Sequence, residues 1–202
     1  MFEQFRKVFL PYPVISMQEI RKAFPDFEFK NLVYWQKRGY LTKIRNGYYI
    51  FNETELNEEK LFQIANCIYN PSYVSLESAL AYYGLIPETV YRIQSISTRK
   101  TMSFTSAAGR FDYHCLKPSL FWGYRLIREK KVFFQLASLE KAMLDFLYLR
   151  SDIRDEEDLN GLRWNQAVLA TADQEKLETG LGLFKSRTME KKVQLLSQFI
   201  HA

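Results

Sequence analysis

The chain has 202 residues, 47% hydrophobic and 25% charged, the balance of an ordinary globular protein, so a packed core is expected and disorder is not. No apolar run approaches the roughly 18 residues of a membrane span, no secretory signal is visible at Met1-Phe2-Glu3-Gln4-Phe5, and Cys67 and Cys115 stand in no C-x-x-C, which together point to a reducing cytoplasmic setting. Charge is unevenly spread: residues 1–51 hold nine Lys or Arg against four Asp or Glu, the whole net excess of +5, whereas residues 52–202 balance 19 against 19. A basic segment on a neutral body suggests that a polyanion meets that end.

Phe2, Phe5, Val8 and Phe9 recur at helical spacing until Pro11 and Pro13 stop the helix. Ser16-Met17-Gln18-Glu19 reads as a capping box opening a second helix, with Ile20, Ala23 and Phe24 on its buried face and Pro25 at its end. Asp26 is the expected N-cap of a third helix that runs to Gly39. At 100° per residue its apolar side is Phe29, Leu32, Val33 and Gln36, and its other side is Lys30, Asn31, Tyr34, Lys37 and Arg38. Such a face suits a major groove, with amide and basic groups toward base edges and phosphates. Leu41 to Arg45, the Asn46-Gly47 pair and Tyr48 to Phe51 then spell a hairpin, with a type I′ turn expected at Asn-Gly. Helices followed by a hairpin carrying Lys43 and Arg45 give the order of a winged helix-turn-helix over residues 1–52, with those two side chains expected on the DNA backbone.

Asn52 to Asn57 is polar and marks the expected boundary to a second domain, 58–202. Leu61, Ile64, Ala65 and Ile68 form one helical stripe, ended at Asn70-Pro71, and Ser75 is expected to cap a shorter helix bearing Leu76, Ala79, Leu80 and Tyr83. Strand character follows over 91–98, 101–105, 110–116, 120–127 and 131–137, with a hairpin around Ala107-Ala108-Gly109. Ser138 caps an amphipathic helix with Leu139, Ala142, Met143, Phe146 and Leu147; Leu177 and Leu181 mark a later helix, and Met189, Val193, Leu196 and Ile200 the last. The expected class is α+β: a winged helix-turn-helix, then a mixed α/β domain with a mainly antiparallel sheet flanked by helices.

Three segments carry a family resemblance: Tyr73-Val74-Ser75-Leu76-Glu77-Ser78-Ala79-Leu80-Ala81-Tyr82-Tyr83-Gly84-Leu85-Ile86-Pro87-Glu88, Ser97-Thr98-Arg99-Lys100-Thr101, and Ala137-Ser138-Leu139-Glu140-Lys141-Ala142-Met143-Leu144-Asp145. They resemble the AbiEi-type antitoxins of type IV toxin–antitoxin systems. The resemblance covers nearly the whole chain and weakens after about residue 150. It implies a winged helix that represses its own operon by binding inverted repeats in the promoter. It also implies a C-terminal domain that counteracts a nucleotidyltransferase toxin encoded alongside, without stable toxin binding as a defining feature. Within these segments Arg99 and Lys100 are a candidate contact patch, Ser75 and Ser138 are accounted for by helix capping, and Tyr82-Tyr83 by the core.

No cofactor, metal site or catalytic residue is expected. Of the two histidines, His201 is terminal and His114 alternates with Cys115 across a strand, a poor arrangement for a shared metal or a Cys–His pair. The catalytic pattern worth naming is Asp112 followed by Glu129-Lys130-Lys131. An acid on one strand and E-x-K on the next resembles a restriction-like nuclease, Asp112 and Glu129 holding Mg²⁺ and Lys131 orienting water. This needs neighbouring strands, and the neutral charge of residues 52–202 speaks against it. A further alternative is a stand-alone winged-helix repressor whose second domain binds a ligand or partner.

Overall fold

The computed structural model describes residues 1–87, 91–129 and 132–201, the last three by backbone alone. Glu88 of the first resemblance segment, Lys130, Lys131 and the side chains of Ile200 and His201 therefore lie outside the described residues. The described part is a mixed α and β structure, and no helix in it is long and apolar enough to cross a membrane.

The chain opens with α1 (Phe2–Phe9), β1 (Ile15–Ser16), α2 (Met17–Ala23), α3 (Lys30–Lys37), β2 (Leu41–Arg45) and β3 (Tyr48–Phe51). The strands form an antiparallel sheet in the order β1-β3-β2. The capping box forms as its spacing predicts: the Glu19 amide donates to Ser16 Oγ at 3.1 Å and the Ser16 amide to the Glu19 carboxylate at 2.8 Å. Ala23 lies at the surface, against expectation, and Ile20 carries the buried contact of α2.

Helix α3 departs further. It begins at Lys30, and Asp26 caps nothing. Its inner side is Leu32 and Trp35, and Val33 is 54% exposed. The reason is aromatic: Trp35 packs against both Phe5 and Phe27, with ring centroids 4.8 and 5.6 Å away, and those two rings also touch one another. Burying that ring outweighs burying a valine and sets the rotation of an eight-residue helix.

The hairpin turns at Asn46-Gly47, but only Gly47 adopts positive φ (+83°), so the type I′ turn is not formed. Register slips between Lys43 and Arg45, leaving Ile44 as the extra residue of a bulge. That bulge matters because Ile44 then points into the other half of the molecule.

The rest comprises α4 (Glu58–Ile68), β4 (Ser72–Val74), α5 (Leu76–Tyr82), β5 (Arg92–Ser97), β6 (Met102–Ser106), β7 (Gly109–Cys115), β8 (Tyr124–Glu129), β9 (Val132–Ala137), α6 (Leu139–Leu149), α7 (Glu156–Gly161), α8 (Gln166–Leu169), α9 (Gln174–Phe184) and α10 (Arg187–His201). The six-stranded sheet runs β6-β7-β5-β4-β9-β8. Both hairpins pair antiparallel, as does β4 with β5, but β5 with β7 and β4 with β9 are parallel. The sheet is thus mixed, with three antiparallel and two parallel pairings. Hairpin chemistry fixes only partners adjacent in sequence; the three-residue β4, too short to show alternation, inserts between β5 and β9 and makes the parallel join with β9, while β5 pairs parallel with β7 across the β6-β7 hairpin. The expected strand from Leu120 starts at Tyr124, because Pro118–Leu120 forms a 3-10 turn and Gly123 takes φ +72°.

The two halves are not separately packed. Phe5, Phe9, Ile20, Phe27, Leu32 and Trp35 form an N-terminal cluster of their own. Val14, Ile44 and Ile50 instead join the large apolar cluster of the second half, beside Phe62, Tyr73 and Phe134. The polar stretch 52–57 therefore separates two stretches of sequence whose apolar packing crosses it.

Candidate nucleic-acid interface

With Leu32 and Trp35 turned inward, α3 presents Lys30, Val33, Tyr34, Lys37 and Arg38 to solvent. Their charges are not equally available. Lys30 pairs with Glu28 at 2.8 Å. The Arg38 Nε donates to the Tyr34 hydroxyl at 3.0 Å, and its guanidinium lies 5.4 Å from that ring, so the two side chains hold one another one turn apart. Lys37 has no ion-pair partner among the described residues. Asn31 is half-buried, its amide donating to the Met1 sulfur at 3.1 Å, which withdraws it from the outer face. Val33 occupies that face instead and was not expected there; only the burial of Trp35 reveals it.

The hairpin residues divide. Lys43 is exposed at the edge of β2. Arg45 turns into the body: its guanidinium donates to the Ile68 carbonyl at 2.9 Å, reaches the Met102 sulfur at 3.0 Å and lies 5.1 and 5.4 Å from the Tyr69 and Phe104 rings. Arg99 approaches the same Tyr69 ring at 4.5 Å and donates to the Asn70 carbonyl. The Tyr69 hydroxyl donates to the Lys100 carbonyl at 2.6 Å, while the Lys100 side chain faces solvent. Tyr69 thus gathers two basic regions that are distant in sequence, the hairpin and the Ser97 to Thr101 segment. In this gathering Arg45 and Arg99 are structural ties, Arg99 one that stays exposed, as Lys43 and Lys100 are.

The first and third resemblance segments meet in the interior. The carboxylate of Asp145 accepts from the Tyr73 hydroxyl at 2.9 Å, the Ser75 hydroxyl at 2.8 Å and the Lys141 ammonium at 2.5 Å. The Lys141 ammonium also lies 4.6, 5.3 and 5.9 Å from the rings of Trp122, Phe184 and Tyr73. Gly123 makes room for it: a Cβ there would sit 2.9 Å from Lys141 Cγ. Burial pushes the Asp145 carboxyl up and the Lys141 ammonium down from their ordinary values, and their mutual attraction opposes both shifts.

Ser75 is accordingly no side-chain cap, contrary to expectation. An ionised buried acceptor outcompetes a backbone N–H for its hydroxyl. The first turn of α5 is satisfied from β5 instead, the Glu77 amide donating to Gln94 Oε1 at 3.1 Å. Leu76 accommodates this with φ +55°, a conformation that costs a branched residue of order 1 kcal/mol. Ser138, by contrast, caps α6 as expected, accepting from the Lys141 amide.

The nuclease pattern is not brought together. Asp112 lies on β7 and Glu129 on β8, four places apart in the sheet, or roughly 19 Å at ordinary strand spacing. Asp112 is occupied by Ser103 and Arg110, and Glu129 accepts from the Tyr82 hydroxyl. No protein-family model matches the chain, and no curated protein matches it.

Proposed function

We propose that the chain is a DNA-binding transcriptional autorepressor and the antitoxin of a type IV toxin–antitoxin pair, with residues 1–52 acting as a winged helix-turn-helix. The observation that carries the DNA-binding half is α3: one side is keyed into the aromatic cluster by Trp35, and the other holds Tyr34, Lys37 and Arg38 outward. In this reading α3 enters the major groove of an inverted repeat, Lys37 and Arg38 meet phosphates or guanine edges, and Val33 offers an apolar contact to a thymine methyl. Lys43, and beyond it Lys100, continue the contact along the backbone. The antitoxin half rests on the resemblance carried by residues 73–88, 97–101 and 137–145.

Fluorescence anisotropy tests the first half with a duplex from the region upstream of the gene and a scrambled duplex. The upstream duplex should bind more tightly, and Lys37→Ala with Arg38→Ala should lower the salt slope by about 2. Equal affinity for the two duplexes overturns the regulator reading. Co-expression with the adjacent nucleotidyltransferase tests the second: growth should be restored, and unrelieved toxicity at matched protein level removes the antitoxin assignment.

A further inference from the structure

We propose that the cleft between the starts of β5 and β7 and the end of α6 binds a mononucleotide. The cleft holds about 530 Å³, within the ordinary range for small-molecule sites. Its apolar floor is Phe146 and Trp164, exposed by only 3% and 5%, with ring centroids 5.7 Å apart. Three guanidinium groups from separate elements line it. Arg92 and Arg110 stand directly opposite one another on the parallel strands β5 and β7, and Arg150 closes the C-terminal end of α6.

Each of these forks is oriented by a carboxylate yet keeps donors to spare. Arg110 gives Nε to Asp112 at 3.2 Å, and Arg92 approaches the same carboxylate at 3.7 Å. Asp112 itself is 4% exposed and braced by Ser103, so it acts as a fixed post beneath the two arginines. Arg150 gives Nε and Nη2 to Asp152 and retains Nη1. A guanidinium has five N–H donors, and held planar forks meet phosphate oxygens at little further entropic cost.

The remaining wall selects the ligand. Glu77 enters the cleft from the first turn of α5. A carboxylate there repels a continuous phosphate backbone but accepts hydrogen bonds from a base amino group or ribose hydroxyl. The exposed Tyr91 ring at the edge of the cleft, an apolar lining completed by Ile86 and Leu162, a cationic rim and one acceptor together fit a flat heterocycle with a phosphate at one end and donors at the other. The site shares no residue with the α3 surface, so it stands or falls apart from the DNA-binding reading.

Titration calorimetry on the full chain tests this with GMP, AMP, guanosine and inorganic phosphate. At least one nucleotide should bind at one site per chain, and guanosine and phosphate should each bind at least tenfold more weakly. Arg110→Gln and Arg150→Gln should each weaken the nucleotide about tenfold, the loss expected for one charge-assisted hydrogen bond. Arg150→Gln releases the exposed Asp152 and uncovers the Phe146 ring, 5.1 Å from the guanidinium, so an unchanged thermal midpoint certifies its fold. Lys37→Ala with Arg38→Ala should leave nucleotide affinity unchanged. Absence of nucleotide binding, phosphate binding as tightly as GMP and AMP, affinity unaltered in both arginine variants, or loss of binding in the α3 variant each overturns the proposal.

Discussion

Lys141 and Asp145, one turn apart on α6, form an ion pair from which solvent is wholly excluded. Two charges taken from water cost several kcal/mol each, and Coulomb attraction offsets this only when the remaining donors and acceptors are also met. Here Tyr73 and Ser75 complete the carboxylate, and three aromatic rings surround the ammonium. The residues that carry the resemblance in two separate segments are thus, at this point, a hub that ties β4 and the start of α5 to α6.

Breaking the hub should be expensive. Lys141→Met leaves a buried carboxylate without its counter-ion and should destabilise by about 3–5 kcal/mol. Tyr73→Phe and Ser75→Ala should each cost about 1–3 kcal/mol through a missing donor to a charged acceptor. Urea unfolding measures all three, and a loss below about 1 kcal/mol in Lys141→Met would falsify the hub as a stability determinant.

Lys43 and Arg45 should behave differently although both are basic hairpin residues. Lys43→Ala should lower the salt slope of DNA binding by about 1 and leave the thermal midpoint unchanged. Arg45→Ala should cost about 1.5–3 kcal/mol of stability by removing a charged donor from the Ile68 carbonyl, with the salt slope retained. The reverse pattern, a lowered slope with unaltered stability in Arg45→Ala, would place that guanidinium on DNA.

The two halves should unfold together. Because Val14, Ile44 and Ile50 are buried against the second half, the full chain is expected to give one transition in urea, coincident by circular dichroism and tryptophan fluorescence. Residues 1–52 alone should be poorly folded, since excision exposes those three side chains and strips Arg45 of its partners. A cooperative transition in the isolated fragment is the contrary result.

Acid should weaken the fold partly through His114. Burial, its largest influence, lowers the His114 pKa below 6.5, while Asp112 and Glu77 pull it the other way and Arg92 assists the lowering. The unfolded chain then takes up a proton more readily than the native one, so this contribution is present above about pH 6.5 and is lost as pH falls through the folded value. Stability measured from about pH 7.5 to 5.5 should decline less steeply in His114→Gln than in the wild type; parallel curves would exclude the imidazole as a contributor.

What the sequence determined by itself was local. The Ser16–Glu19 capping box, the Asn46-Gly47 and Ala107-Ala108 turns, the Ser138 cap and the amphipathic stripes all depend on residues a few positions apart. The concentration of net charge in the first 51 residues is likewise a property of the chain before it folds. The tertiary structure alone decided five things. Trp35 outweighed Val33 and rotated α3, because the larger ring gains more on burial among Phe5 and Phe27. The three residues of β4 entered mid-sheet beside β9, and β5 took β7 as a parallel neighbour, since partner choice between distant strands leaves no mark in local spacing. Ser75 left its capping role for Asp145, 70 positions away. Arg45 left the hairpin surface for Ile68 and Tyr69, and Arg92, Arg110 and Arg150 converged on one cleft, because where a long cation points is fixed by the carboxylates, carbonyls and rings that folding brings within its reach.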